Sequence, residues 1–344
     1  MRHALRLLPV LLMAAVALPA VASSPAAPAK KEGPELLKVR FGTNWVAQAE
    51  HGGYYQALAD GTYKKYGLDV EIVPGGPNVN NRILLLVGKI DFFMSANSLQ
   101  SFDAVEQKIP TVAVAASFQK DPQVLLTHPG MANTLDDLKN LTLLVSKEGM
   151  MSYFQWLRAD YGFTERSVKP YTSNPQPFLT DEKSAMQGYV TSEPYAIEQQ
   201  GKFKPKIFLL ADYGFNSYST LIETRTDLVE KDPDLVQKFV DASAIGWYNY
   251  LYHDNKAGNE LIKKHNPEMT DALLANSVAK MKEFGIVDSG DALKLGIGAM
   301  TDARMQAFYD KMVRTGVIRA GLDYKKAYTL KFVNKGVGLN LRPK

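Results

Sequence analysis

Two stretches hold most of the side chains able to do chemistry. Asn44-Trp45 and Gln48 precede His51-Gly52-Gly53-Tyr54-Tyr55, which places an indole, an imidazole and two phenols close together. A helix opening at His51 would add free backbone N–H groups, ready donors to a polar ligand atom. The second stretch is Thr191-Ser192-Glu193-Pro194-Tyr195, where Pro194 suits a first helical turn. There Glu193 could favour the helix dipole, or its carboxylate could accept two N–H groups from an amino-heterocycle, and Tyr195 could add a stacking face. Shorter runs add Ser95 and Asn97, Ser117-Phe118-Gln119, Tyr153 and Asn216. Ser98 reads as a cap; Ser95 and Asn97 read as ligand contacts. Tyr153 could stack on a planar ligand or pack in a core.

None of this is an enzyme signature. The 344 residues include no cysteine, so disulfides, thiolate metal sites and cysteine nucleophiles are excluded, as is a lipid anchor built on cysteine. There is no G-x-S-x-G, no Walker loop, no H-E-x-x-H and no cofactor motif, and the five histidines are scattered. With 40 Lys+Arg against 36 Asp+Glu, the chain lacks the basic field of a nucleic-acid binder.

The elements that must position these residues alternate. Strand-like runs at Lys38–Gly42, Asp69–Val73, Ile90–Met94 and Thr111–Ala116 are separated by helical patterns at His51–Tyr66, Asn80–Val87 and Ser98–Gln107. This grammar predicts parallel βαβ units in an α/β fold. It repeats through Val124–Thr127, Leu141–Val145, Met150–Tyr161, Ala185–Val190, Pro194–Gln200 and Ile207–Ala211. From Pro233 to Thr315 the pattern is mainly helical, including Pro233–His253 and Asp302–Arg314. The expected organisation is a first lobe of residues 36–123 plus 219–344 and a second of 124–218. Crossings near Gln123–Thr127 and Ala211–Ser219 would frame a hinged ligand cleft at the strand ends. Residues 1–22 read as a cleavable export signal and 23–35 as a spacer, with no later run long and apolar enough to span a bilayer.

The run N-W-V-A-Q-A-E-H-G-G-Y-Y-Q-A-L-A-D-G-T-Y-K-K-Y-G-L-D-V-E-I (Asn44–Ile72), with Q-G-Y-V-T-S-E-P-Y (Gln187–Tyr195), resembles solute-binding proteins of the thiamine-pyrimidine/nitrate–sulfonate type. The resemblance implies a two-lobed type II periplasmic-binding-protein fold with a ligand cleft between the lobes. It also implies a periplasmic single-copy carrier feeding the permease and ATPase subunits of an ABC importer. It carries Trp45, His51, Gly52, Tyr54, Ser95 and Glu193 over as ligand-lining. A pyrimidine-synthesising branch relies on a cysteine-containing iron motif, so the resemblance implies binding of a thiamine pyrimidine precursor or related planar nitrogen heterocycle. Where pyrimidine binders have Pro-Asn after the tryptophan, this chain has Val46-Ala47-Gln48. That leaves flavins open. The rivals are a sulfonate or nitrate binder, which Glu193 would oppose, an exported enzyme and a sensor-docking module.

Overall fold

The computed structural model describes residues 35–343; the export signal and most of the spacer lie outside them. Among the described residues, ten strands form two five-stranded sheets. The first contains β1 (Leu37–Gly42), β2 (Leu68–Val73), β3 (Phe92–Asn97), β4 (Thr111–Phe118) and β10 (Ser219–Arg225), in the order β2-β1-β3-β10-β4. The second contains β5 (Gln123–Thr127), β6 (Thr142–Val145), β7 (Val168–Pro170), β8 (Ser184–Tyr189) and β9 (Lys206–Leu209), in the order β7-β6-β8-β5-β9. Helices flank both sheets, so the α/β class expected from the alternating grammar is the observed one, and it matches periplasmic-binding-protein folds.

The sheets are mixed: the parallel βαβ pairing expected from the sequence holds for part of each sheet. β1 pairs parallel with β2 and β3, whereas β10 runs antiparallel between β3 and β4. In the second sheet β5 is antiparallel to both β8 and β9. The reason is connectivity. A strand that returns from another sheet needs no crossover helix, so the right-handed βαβ rule does not constrain its direction. The chain passes between sheets at 119–122 and 210–218. The first crossing therefore precedes Gln123–Thr127, which is itself strand β5.

Local chemistry explains the elements. In β2, Leu68, Val70 and Ile72 are buried while Asp69 and Glu71 face solvent, the alternation of a half-buried strand. The long helix Pro233–Tyr252 starts at Asp232, whose carboxylate accepts the Leu235 N–H at 3.0 Å, a cap of about 1 kcal/mol. That helix returns over the first sheet, where Phe239 stacks on Phe92 with ring centroids 4.2 Å apart. The expected single helix His51–Tyr66 is two, Gly52–Ala59 and Thr62–Lys65, because Gly61 takes a left-handed conformation (φ 75°). Likewise the expected helix Met150–Tyr161 begins only at Tyr153, after a separate short helix Lys147–Met150.

Candidate functional site

The cavity between the two sheets is built from strand ends and loops. Asn44, Trp45, Gln48, Glu50 and His51 come from the loop and 3₁₀ turn after β1. Asn97 ends β3, and Asp121 and Gln123 stand at the first crossing. From the second sheet come Ser146, Glu148, Tyr171, Gln187, Tyr189 and Glu193. The loop carrying Asn44 and Trp45 is fixed from behind by the turn Pro74-Gly75-Gly76-Pro77. A Cβ on Gly75 would lie 2.3 Å from the Thr43 carbonyl oxygen, so only glycine permits this approach. Gly75 N–H donates to Thr43 Oγ1 at 3.0 Å.

Two features give the cavity its chemistry. Trp45 and Tyr171 face each other with planes 13° apart and centroids 6.3 Å apart. One comes from each side of the cleft; their separation lies within the range of aromatic pairs in direct contact, so a planar ring between them requires the two to part to about 7 Å or more. The second feature is charge. Glu50, Asp121, Glu148 and Glu193 all line the cavity, and among the described residues no Lys or Arg does. Burial pushes Glu50 up to about 7; the Thr191 hydroxyl opposes this and the nearby Glu193 charge reinforces it. Burial also pushes Asp121 to about 7 against its hydrogen bond from the Gln123 N–H. Glu148 and Glu193 are raised for the same leading reason. His51 is lowered to about 3 by burial and is therefore neutral at physiological pH.

Donors and acceptors are partly committed. Gln187 Oε1 accepts from the Ser146 N–H at 2.6 Å and the Tyr153 hydroxyl at 3.1 Å. Glu193 Oε2 accepts from the Tyr189 N–H at 2.6 Å and the Ser192 hydroxyl at 2.8 Å. Its two oxygens are thus not both available to a ligand, a correction to the expected two-pronged grip. Glu50 Oε2, His51 Nδ1 and Asn97 Oδ1 are buried with no hydrogen-bond partner among the described residues. Since buried polar atoms are almost always satisfied, these three are candidate ligand contacts.

Several bonds join the two sides of the cleft. The Thr191 hydroxyl donates to Glu50 Oε1. Gln100 Nε2 donates to Glu148 Oε2 at 2.5 Å, and Asn276 Nδ2 donates to the Thr191 carbonyl at 3.3 Å.

Of the residues expected to line the site, Asn44, Trp45, Gln48, His51, Asn97 and Glu193 lie on the cavity. The other seven do not. Tyr54 is fully buried behind it, hydrogen-bonded to the Ser117 hydroxyl at 2.7 Å and packed edge-on against Trp247. Phe118 packs on the same Trp247. Gly52 serves close helix packing, since a Cβ there would meet the Tyr250 ring at 2.0 Å. Ser95 is buried within the first sheet. Tyr153 stands behind Gln187 as its hydroxyl donor. Tyr195 is half-buried outside the lining, and Asn216 is exposed at the second crossing, accepting from Arg304 Nη2 at 3.2 Å. Ser98 does not cap its helix; its hydroxyl points to Met305 Sδ at 3.6 Å.

Sequence reasoning missed Glu50, Asp121, Gln123, Glu148, Tyr171 and Gln187. Asp121 and Glu148 lie within three residues of a strand's end, a positional signal of the kind that selected Asn44, whereas Gln123 and Gln187 lie inside strands. Tyr171 follows a strand of three residues, too short to show a period.

Two sheets meeting at a strand-end cavity give the chain the fold of periplasmic binding proteins. The chain belongs to the NMT1/THI5 like family, whose model matches residues 48–257. A relative in sequence is the riboflavin-binding protein RibY of Chloroflexus aurantiacus, 25% identical over 328 residues that cover 92% of this chain and 91% of that protein. In structure the chain is similar to the periplasmic aliphatic sulphonate binding protein SsuA of Escherichia coli, with TM-score 0.60 and 15% identity over 86% of this chain and 92% of that one. It is also similar to the periplasmic nitrate-binding protein NrtA of Synechocystis PCC 6803, with TM-score 0.51 and 15% identity over 86% and 85%. Likeness at these identities establishes the fold, and the ligand must be read from the cavity itself.

Proposed function

We propose that this protein captures a small, planar nitrogen heterocycle rich in N–H donors, of the thiamine-pyrimidine-precursor type. It would do so in the periplasm and hand the ligand unchanged to the permease of an ABC importer. The observation that carries this reading is the acidic, arginine- and lysine-free lining around the parallel Trp45 and Tyr171 rings. An anion such as nitrate or a sulfonate would face four carboxylates with no cation in the lining. An amino-heterocycle would instead donate to them, and a charge-assisted bond of that kind is stronger than a neutral one.

Size supports a single ring. The cavity has a free volume of about 50 Å³. At roughly 10–15 Å³ for each water centre this is space for about four waters, or about 120 Å³ of ligand. That suits one six-membered ring with two or three substituents. In the proposed geometry the ring slides between Trp45 and Tyr171, and its exocyclic amine donates to the unpartnered Glu50 Oε2. Residues 36–123 with 219–344 and residues 124–218 act as the two lobes, swinging about 119–122 and 210–218. A ligand touching both sides favours the closed state by its differential affinity.

The flavin reading has its own support in the likeness to a riboflavin-binding protein over most of both chains. Calorimetric titration with 4-amino-5-hydroxymethyl-2-methylpyrimidine, riboflavin and taurine separates the readings. Micromolar or tighter binding of the pyrimidine, with no taurine heat at about 1 mM, is the expected result. Binding of taurine, or conversion of the pyrimidine to a product, would overturn it.

A further inference from the structure

A second recess opens from the first at the cleft mouth. Glu148 and Tyr171 line both. Beyond them the wall comes from the 77–80 loop on one side and from Val145–Met151 and Val168–Thr172 on the other. Its free volume is about 560 Å³, against about 50 Å³ for the inner cavity. Val79, Val145, Met150, Met151 and Val168 give it an apolar floor. Val79 is 46% exposed and Met151 53% exposed. Lys147, Glu148 and Glu165 line the same recess, so its apolar residues sit beside charged ones.

Resting on the ring-binding reading above, we infer that the recess is a second subsite of the same ligand. It takes an aromatic or short apolar substituent carried by the heterocycle that Trp45 and Tyr171 hold. Continuity names the occupant: a group attached to that ring and pointing outward must pass between Glu148 and Tyr171 and enters this recess directly. Methionines suit a site that takes substituents of varied shape, because their flexible thioethers repack around them. The inner cavity then sets the head group by hydrogen bonding, and the outer recess sets the length and polarity of the tail. Because its walls come from both sheets, a filled recess also adds apolar contact across the cleft in the closed form.

The test is a two-by-two titration. One axis compares 4-amino-5-hydroxymethyl-2-methylpyrimidine with its O-benzyl ether. The other compares the native chain with Met151→Trp, which fills the recess from an exposed position that inner-cavity binding does not use. In the native chain the ether should bind at least about tenfold tighter, the scale of burying a phenyl group. In Met151→Trp that advantage should vanish while the parent pyrimidine binds as before. Equal affinities in the native chain, or an advantage untouched by the filler, overturns the subsite and leaves the ring-binding reading standing. Failure of the parent pyrimidine to bind the native chain overturns that reading, and this inference with it. Val79→Trp, on the opposite wall, gives the same comparison should Met151→Trp fail to fold.

Discussion

Replacing Glu50 by glutamine should make the ligand-free protein more stable at alkaline pH and a poorer binder. The carboxyl is 1% exposed, accepts from the Thr191 hydroxyl and leaves Oε2 without a hydrogen-bond partner among the described residues. Burial, reinforced by Glu193, raises it from the ordinary 4.5 to about 7. A raised acid binds more protons folded than unfolded between those values, so its contribution to stability falls as pH rises from about 4.5 to about 7 and is flat above. The shift of about 2.5 units corresponds to about 3 kcal/mol of cost at pH 8, and to under about 1 kcal/mol at pH 5. Glutamine keeps the acceptor for Thr191 and never ionises. Glu50→Gln should therefore raise the urea midpoint at pH 8 by about 1 M, for a slope of about 3 kcal/mol/M, and by much less at pH 5. Asp121 titrates in the same window, but it is present in both chains and largely cancels from the comparison. Urea unfolding followed by tryptophan fluorescence at the two pH values reads the difference directly. A gap of equal size at pH 5 and pH 8, or a less stable variant at pH 8, refutes the account of a strained buried carboxylate.

Trp45→Ala and Tyr171→Ala should each weaken the ligand by about tenfold or more, since each removes one face of the ring slot; calorimetry checks both. Tyr54→Phe should leave the ligand's affinity unchanged within about twofold and lower stability by about 1 kcal/mol, the worth of its bond to Ser117, which thermal unfolding measures. Gly52→Ala should destabilise by about 1–3 kcal/mol, because the added methyl strikes the Tyr250 ring; chemical denaturation is the check, and a neutral result would mean the helices can part freely. Gln100→Ala removes a hydrogen bond that joins the two sides of the cleft at Glu148. The ligand-saturated protein should then show a larger radius of gyration by small-angle scattering, and affinity lower by roughly fivefold.

Periodicity and caps made the fold legible. The helix Asp302–Arg314 was expected with the bounds it has, and Pro233 was expected to open the helix that Asp232 caps. What the sequence could not convey was direction across the sheet. β10 is buried over its first six residues and would read the same whether it runs parallel or antiparallel, and only the path of the intervening 124–218 segment decides. The site was legible to the level of strand ends, not of side-chain facing. Trp45 and Tyr54 are both aromatic residues after β1, yet the loop turns one into the cleft and the helix turns the other into Trp247. Glu193 was found because it opens a helix. Glu50, next to His51, carries no such mark, because a lone glutamate between alanine and histidine has no signature of burial.

The position of β10 has a consequence for how the chain reaches this state. It lies inside the first sheet, with β3 on one side and the edge strand β4 on the other. Until residue 219 has been made, β3 and β4 have no strand to join them, and the first sheet exists only as fragments. Completing it requires pairing Ser219–Arg225 with segments more than 100 residues earlier. Pairings that distant form late and slowly, because their loop-closure entropy must be met before they stabilise anything. A nascent chain of this topology can therefore complete its second sheet, within residues 123–209, while the first still lacks the strand that joins β3 to β4.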